Sequence, residues 1–220
     1  MPDAQGRLRD LSGVIEHVTS EHLSDRALAR LKKIDPASLP LVRGTPRLGV
    51  PYLGISKLVA IGLNYADHAA EAGLAAPSEP IVFLKATTCI TGPGDDLVIP
   101  RGSTKTDWEV ELGIVIGARC RYLADEQEAA ASIAGYVLVN DVSERAFQLE
   151  RGAQWSKGKS PATFNPCGPW LVTPDEIDDV LALGMWLDVN GVRRQTGSTS
   201  TMIFSPTFLV HYLSQFMVLE

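Results

Sequence analysis

Two glutamates one residue apart, Glu109 and Glu111 in Asp107-Trp108-Glu109-Val110-Glu111-Leu112, form the spacing in this chain that most suggests chemistry. In an extended strand, side chains at i and i+2 share a face and stand about 7 Å apart. Two carboxylates so placed converge on one divalent cation or, on a solvated face, simply repel. A third acid, Asp141, ends the apolar run Tyr136-Val137-Leu138-Val139-Asn140. A carboxylate there is costly to desolvate unless it meets a cation or several donors, although a turn-starting Asp explains the same position. Oxygen donors of this kind select Mg2+, Mn2+ or Ca2+ rather than zinc. His68 and Glu71, three residues apart in a short helical stretch, share a helix face. A carboxylate beside an imidazole raises its basicity and fixes its tautomer, which suits a base acting on water. A solvated surface pair has the same spacing.

Four further polar residues and one tyrosine have plain readings of their own. Lys85 closes the apolar strand Ile81-Val82-Phe83-Leu84, a place where lysines commonly snorkel. Lys159 lies in Ser156-Lys157-Gly158-Lys159-Ser160, which alone reads as a flexible basic loop. Arg145 and Gln148 are one helical turn apart just after Asp141 and equally describe an exposed helix face. A guanidinium offers a planar fork for a carboxylate. Tyr65 follows the run Leu58-Val59-Ala60-Ile61-Gly62 and serves as core or as pocket wall.

The elements that must hold these residues are short. Apolar runs predict strands at 58–62, 81–85, 97–100, 107–117 and 136–141. Helical spacing predicts helices from Leu23 to Ile34, after His68 to about Gly73, over 125–133, over 143–150 and from Pro206 to Met217. Asn190-Gly191 between apolar alternations predicts a tight hairpin. The fold class that follows is α+β and β-dominated. Residues 1–52 read as a small N-terminal arm and 53–220 as the main domain, separated by the Pro- and Gly-bearing stretch Leu39 to Pro46.

Composition limits the function classes. With 220 residues, 45% hydrophobic and 21% charged, the chain has the make-up of a globular protein. A net charge of -6 with no basic patch argues against a nucleic-acid partner. No apolar run reaches the length needed to span a bilayer, and the polar start MPDAQGRLRD is no secretory signal. Three scattered cysteines, Cys89, Cys120 and Cys167, suit free thiols, so a cytoplasmic enzyme is expected.

Seven blocks taken in order carry a resemblance. They are Gly62-Leu63-Asn64-Tyr65-Ala66-Asp67-His68, Glu79-Pro80-Ile81-Val82-Phe83-Leu84-Lys85, the 107–112 stretch, Asn140-Asp141-Val142-Ser143-Glu144-Arg145, Gly158-Lys159-Ser160, Pro166-Cys167-Gly168-Pro169 and Met202-Ile203-Phe204-Ser205. Together they resemble the fumarylacetoacetate hydrolase family from about residue 57 onward. The resemblance implies that Glu109, Glu111 and Asp141 ligate Mg2+ or Mn2+ inside a mixed β-roll, usually in a homodimer. It implies that His68 and Glu71 form a water-activating pair on a lid over Ala69 to Ala76. It also implies that Lys159, Arg145, Gln148, Lys85 and Tyr65 surround a 2-oxo or 2,4-dioxo acid.

The implied reaction is hydrolysis of a carbon–carbon bond in a 2,4-diketo-3-deoxy sugar acid or an acylpyruvate, releasing pyruvate. The phrases from Asp141 to Gly152 and from Gly168 to Thr173 resemble the sugar-acid subgroup, whose members are often labelled ureidoglycolate lyase. Oxaloacetate decarboxylation is an alternative using the same enolate chemistry. Members of the family continue past the position of Glu220 with a Pro-Gly-Asp turn and a Thr-Gly-Thr-Pro loop, so the resemblance implies a C-terminal part missing from the fold. A non-catalytic metal-binding homologue is the reading of another class.

Overall fold

A computed structural model describes residues 1–71 and 73–220; Ala72, inside the expected lid stretch, lies outside the described residues. Its helices are α1 (Asp25–Leu31), α2 (Ala66–Glu71), α3 (Glu126–Ala131), α4 (Arg145–Leu149), α5 (Ser156–Lys159) and α6 (Pro206–Ser214). Its strands are β1 (Leu58–Gly62), β2 (Ile81–Lys85), β3 (Ile90–Thr91), β4 (Thr106–Asp107), β5 (Val110–Ile116), β6 (Ile133–Asn140), β7 (Ser143–Glu144), β8 (Asn165–Val172), β9 (Gly184–Val189) and β10 (Val192–Ser198). No described helix is long and apolar enough to cross a membrane.

The main sheet has the order β3-β8-β6-β5, with β3 parallel to β8 and the other pairs antiparallel. The central strand β6 is buried from Ile133 to Val137, which explains why its sequence is a continuous apolar run rather than an alternation. Its outgoing end delivers Asn140 and then Asp141. Opposite, β5 begins at Val110, paired with Asn140. Asp141 N–H donates to the Glu109 carbonyl at 2.8 Å, and the Asn140 side-chain oxygen accepts from Glu109 N–H at 3.0 Å. The two chain ends are thereby locked side by side.

Around this sheet, β1 and β2 form an antiparallel pair in register from Leu58↔Lys85 to Gly62↔Ile81. The β9–β10 hairpin turns at Asn190 and Gly191, with φ of 52° and 74°. These are the left-handed values that the sequence pair favours. Helix α6 starts with Ser205 accepting from Phe208 N–H at 3.1 Å and Pro206 in its first turn. It lays Val210 and Leu213 on Ala129, Ile133 and Tyr136. Each such side chain, taken fully out of water, contributes about 1.5–3 kcal/mol. Leu23, just before α1, packs with Val115, Ala134, Val137 and Cys167, so the N-terminal segment shares the sheet's other apolar layer.

Three local expectations need correction. Leu97 to Pro100 is not a strand: Val98 and Ile99 stand exposed, and among the described residues no neighbouring strand offers the segment a ladder. The expected strand from 107 to 117 is broken at Trp108 and Glu109, because β4 pairs with β7 whereas β5 pairs with β6. Ser143 to Glu150 opens with the bridge strand β7 before turning helical at Arg145.

Candidate active site: a cluster of buried acids and bases

Four elements converge where β5 begins and β6 ends, the others being β2 with Lys85 and α5 with Lys159. Asp141 Oδ2 accepts from Lys159 Nζ at 2.8 Å, and Glu109 Oε2 accepts from the same ammonium at 2.6 Å. Asp141 Oδ1 takes a very short bond from Lys85 Nζ, which also donates to the Phe164 carbonyl at 2.9 Å. Lys85 and Lys159 are 4% and 2% exposed, so neither snorkels. Two ammonium groups so deeply buried persist only because carboxylates face them.

Lys159 reaches this place because its segment is the short helix α5 rather than a flexible loop. A Cβ at Gly158 would lie 2.5 Å from the Glu144 carbonyl oxygen and 2.6 Å from Gln148 N. Only glycine lets α5 pack this closely on α4. The ammonium also stands 5.4 Å above the Phe83 ring, which meets Trp155 edge-on at 5.3 Å.

Arg145 lies on the opposite side of Glu109. Its Nε and one terminal nitrogen donate to Asp107 Oδ2 at 3.0 and 2.8 Å. The other terminal nitrogen meets Glu109 Oε1 at 2.6 Å and Gln148 Oε1 at 3.1 Å. Burial works against the guanidinium charge, but Glu109 and then Asp107 outweigh it and hold the pKa above its ordinary value. Of the five N–H bonds of the fork, one remains for a ligand. Gln148 is buried, so α4 does not present these residues to solvent as a free helix face.

Glu111 has no such partner. Burial first, then the Glu109 and Asp141 carboxylates, push its carboxyl up to about 8, with Lys159 pulling the other way. Tyr65, held by a bridge to Met202, lies nearby. Burial and then Glu111 raise the Tyr65 phenol, yet its hydroxyl is fully buried and meets no partner in hydrogen-bonding geometry among the described residues. Tyr65, Lys85, Glu111, Asp141 and Asn165 form the polar end of a cavity of about 220 Å³. Its remaining walls come chiefly from β1, β5 and α6 and are mostly apolar, with Lys57, Asn64 and Glu220 also lining it.

The donor chemistry fits a hard divalent cation: oxygen donors only, three mutually repelling carboxylates, and an orphaned phenol beside them. Among the described residues no group of three acids stands in metal-holding geometry. Glu109 and Asp141 are instead spanned by the Lys159 ammonium.

Of the residues singled out in the sequence, the structure brings together Glu109, Glu111, Asp141, Lys85, Lys159, Arg145, Gln148 and Tyr65. His68 and Glu71 lie on α2 directly after Tyr65, but no hydrogen bond or ion pair joins them among the described residues, and neither lines the cavity. Sequence reasoning missed Asp107 and Asn140. Asp107 was in view, since Asp107, Glu109 and Glu111 repeat at i, i+2, i+4. Asn140 carried no signal, because its role as a backbone clamp appears only once β5 and β6 are paired. Asn64 does more than turn the chain: its amide donates to the Phe204 carbonyl at 3.0 Å and accepts from Phe204 N–H at 2.9 Å, tying the residue before Tyr65 to the segment before α6.

Comparison with known proteins gives a consistent picture. Residues 57–220 match the family described as fumarylacetoacetate (FAA) hydrolase C-terminal. The chain is 57% identical over 217 residues to a 2,4-didehydro-3-deoxy-L-rhamnonate hydrolase of Sphingomonas sp. strain SKA58, spanning 99% of this chain and 74% of that protein. Among solved structures it resembles the fumarylacetoacetate hydrolase of Exiguobacterium antarcticum, with 31% identity, a TM-score of 0.83 and coverage of 99% of this chain and 77% of the other. It also resembles a 5-carboxymethyl-2-hydroxymuconate delta-isomerase of Mycobacterium smegmatis, with 40% identity, a TM-score of 0.70 and coverage of 79% and 66%.

Proposed function

This chain belongs to the fumarylacetoacetate hydrolase family and is a hydrolase, and from that premise we propose that it cleaves the carbon–carbon bond of a 2,4-dioxo acid with the help of Mg2+ or Mn2+. The reaction balances as R–CO–CH2–CO–COO⁻ plus water giving R–COO⁻, pyruvate and a proton. The observation that carries the reading is the cluster itself. Lys159 pairs with both Glu109 and Asp141, Lys85 with Asp141 and Arg145 with Glu109, while burial and then the neighbouring carboxylates raise the Glu111 carboxyl.

Glu109, Glu111 and Asp141 are the residues to hold the cation. When bound, it would supply Lewis-acid stabilisation of the negative charge that grows on the 2-oxo oxygen. The remaining work belongs to the chain. Lys159 keeps one N–H beyond its two carboxylates, and Arg145 keeps one beyond Asp107, Glu109 and Gln148. These donors hold the carboxylate and oxo groups of the substrate, and the Lys159 ammonium also opposes the charge of the departing enolate. The Tyr65 hydroxyl, buried beside Glu111, would donate to a substrate oxygen. His68 on α2 is the base assigned to the attacking water, with Glu71 one helical turn further along α2 to orient it once the two meet. The position of α2 immediately after Tyr65 supports this role. For R, the sugar-acid form ranks first, because the 57%-identical relative bears the name of a rhamnonate-derived hydrolase.

The test is pyruvate release over a panel of 2,4-dioxo acids that includes sugar-acid and fumaryl forms, with oxaloacetate beside them. Each is assayed after chelation and again with Mg2+ restored. We expect turnover of a dioxo acid only with metal, and its loss in His68→Ala and Glu109→Ala. Metal-independent turnover, or full activity in both variants, would overturn the proposal.

A further inference from the structure

Glu144 is 0% exposed, yet among the described residues its donors are hydroxyls and backbone N–H groups. Its carboxylate accepts from Ser103 Oγ in a very short bond, from Lys105 N–H at 3.1 Å to each oxygen, from Thr106 Oγ1 at 3.2 Å and from Ala146 N–H at 3.1 Å. Burial opposes the charge, but these donors win and keep the carboxyl below its ordinary pKa. A buried acid held by neutral donors alone is expensive, and an apolar residue would fill the space at less cost.

What the carboxylate joins explains its presence. On one side is the loop 103–106 that leads into Asp107; on the other is the first turn of α4, which carries Arg145. The main chain repeats the connection, with Thr106 paired to Glu144 and Arg145 N–H donating to the Lys105 carbonyl at 2.9 Å. We propose that Glu144 is a positioning residue: its carboxylate staples the 103–106 loop to the start of α4 and so fixes Asp107 against the Arg145 guanidinium. With Asp107 fixed, the fork turns its other edge to Glu109 and leaves one N–H for the ligand. Glu144 touches neither the acids of the cluster nor the cavity. Its effect on turnover rests on the reading of Arg145 as a substrate contact.

The primary test does not depend on that reading. In the 15N-labelled full chain, the Arg145 Nε–H resonance is assigned by its loss in Arg145→Lys, and its exchange with solvent is measured. In the wild type slow exchange is expected, because Nε donates to Asp107. Glu144→Gln places an NH2 among donors. It is expected to speed this exchange by about tenfold or more, with the thermal midpoint within a few degrees of wild type. Asp107→Asn gives a similar acceleration, and the double variant adds little to either. Unchanged Arg145 exchange in folded Glu144→Gln, or full additivity with Asp107→Asn, overturns the proposal. Should Glu144→Gln fail to fold, Ser103→Ala removes one donor and keeps the charge; a smaller acceleration is expected, and none refutes the staple. With a dioxo-acid substrate, Glu144→Gln raises KM about tenfold and leaves kcat within about threefold. A fall in kcat at constant KM contradicts the assigned route through Arg145. Absence of pyruvate release by the wild type would sink the proposed function and leave the exchange result standing.

Discussion

Adding one methyl group at Gly158 tests whether the cluster depends on the close approach of α5 to α4. In Gly158→Ala the new Cβ would meet the Glu144 carbonyl oxygen at 2.5 Å, Gln148 Cβ at 2.6 Å and Gln148 N at 2.6 Å. Two of these are backbone atoms and cannot swing aside. Restoring ordinary contact requires α5 to retreat by roughly 1 Å, since interiors are close-packed and do not absorb the overlap. Overpacking of this kind costs about 1–3 kcal/mol. The retreat carries Lys159 with it. Bonds of 2.6 Å to Glu109 and 2.8 Å to Asp141 then lengthen past the useful range of about 3.2 Å. A misplacement near 1 Å at a reacting site costs up to about 10²-fold in rate. The assay is kcat/KM for pyruvate release together with the thermal midpoint, compared with Gly94→Ala, where the added Cβ meets nothing within 4 Å. We expect the control to stay within about 0.5 kcal/mol and to keep its activity. If Gly158→Ala matches the control in both measurements, Lys159 is not held by this contact and the reasoning fails.

Three further outcomes follow from other parts of the structure. Lys85→Met leaves Asp141 without one of its two cationic partners in a buried place and should cost about 3–5 kcal/mol, read as a lowered denaturation midpoint; a change below about 1 kcal/mol would show that Asp141 is served by Lys159 alone. Asn64→Ala removes both side-chain bonds to Phe204 and should destabilise by about 1–3 kcal/mol, with faster amide exchange at Phe204 as the specific sign. Burial alone would raise the Asp3 carboxyl, but the Arg7 and Gln5 backbone N–H groups and the Arg9 and Arg7 side chains lower it from 3.8 to about 2. Because the folded value is the lower one, its stabilisation is complete above about pH 4 and is lost as pH falls toward 2. The stability difference between wild type and Asp3→Asn should therefore shrink across that window, and a pH-independent difference would refute it.

The parts of this site that were legible in the sequence are those governed by local period and residue type. The strand at 58–62, the strand at 81–85, the Asn190-Gly191 turn and the Ser205-Pro206 helix start each follow from neighbours in the chain. The acids were visible because carboxylates at the edge of an apolar run demand a partner. The bases were not assignable, since a lysine after a strand and a lysine in a Gly-Lys-Ser stretch read as solvated until tertiary packing buries them. Lys85 and Asp141 are 56 residues apart, and Lys159 and Glu109 are 50 apart. Only the resemblance to a known family pointed to them. The break at Trp108 and Glu109 was invisible for a related reason: two strands of different sheets run on in one extended stretch, and only their partners, β7 and β6, separate them.

Charge balance explains how these groups stay crowded together. Asp107, Glu109, Glu111 and Asp141 face Lys85, Lys159 and Arg145, so the acids exceed the bases by one. The excess falls on Glu111, the acid with no ion-pair partner, whose carboxyl is held up to about 8. A proton on Glu111 would close that balance. A divalent cation entering among the same oxygens would replace that proton and compete with the Lys159 ammonium for Glu109 and Asp141. The ammonium would then be freed for the substrate by the event that prepares the acids. Lys159→Met separates this exchange from simple addition of a cation to the cluster. If the ammonium competes, the variant binds Mg2+ more tightly than wild type by calorimetry, by about tenfold or more, while losing turnover. Equal or weaker Mg2+ binding in folded Lys159→Met would mean that the ammonium and the cation do not contend for the same oxygens.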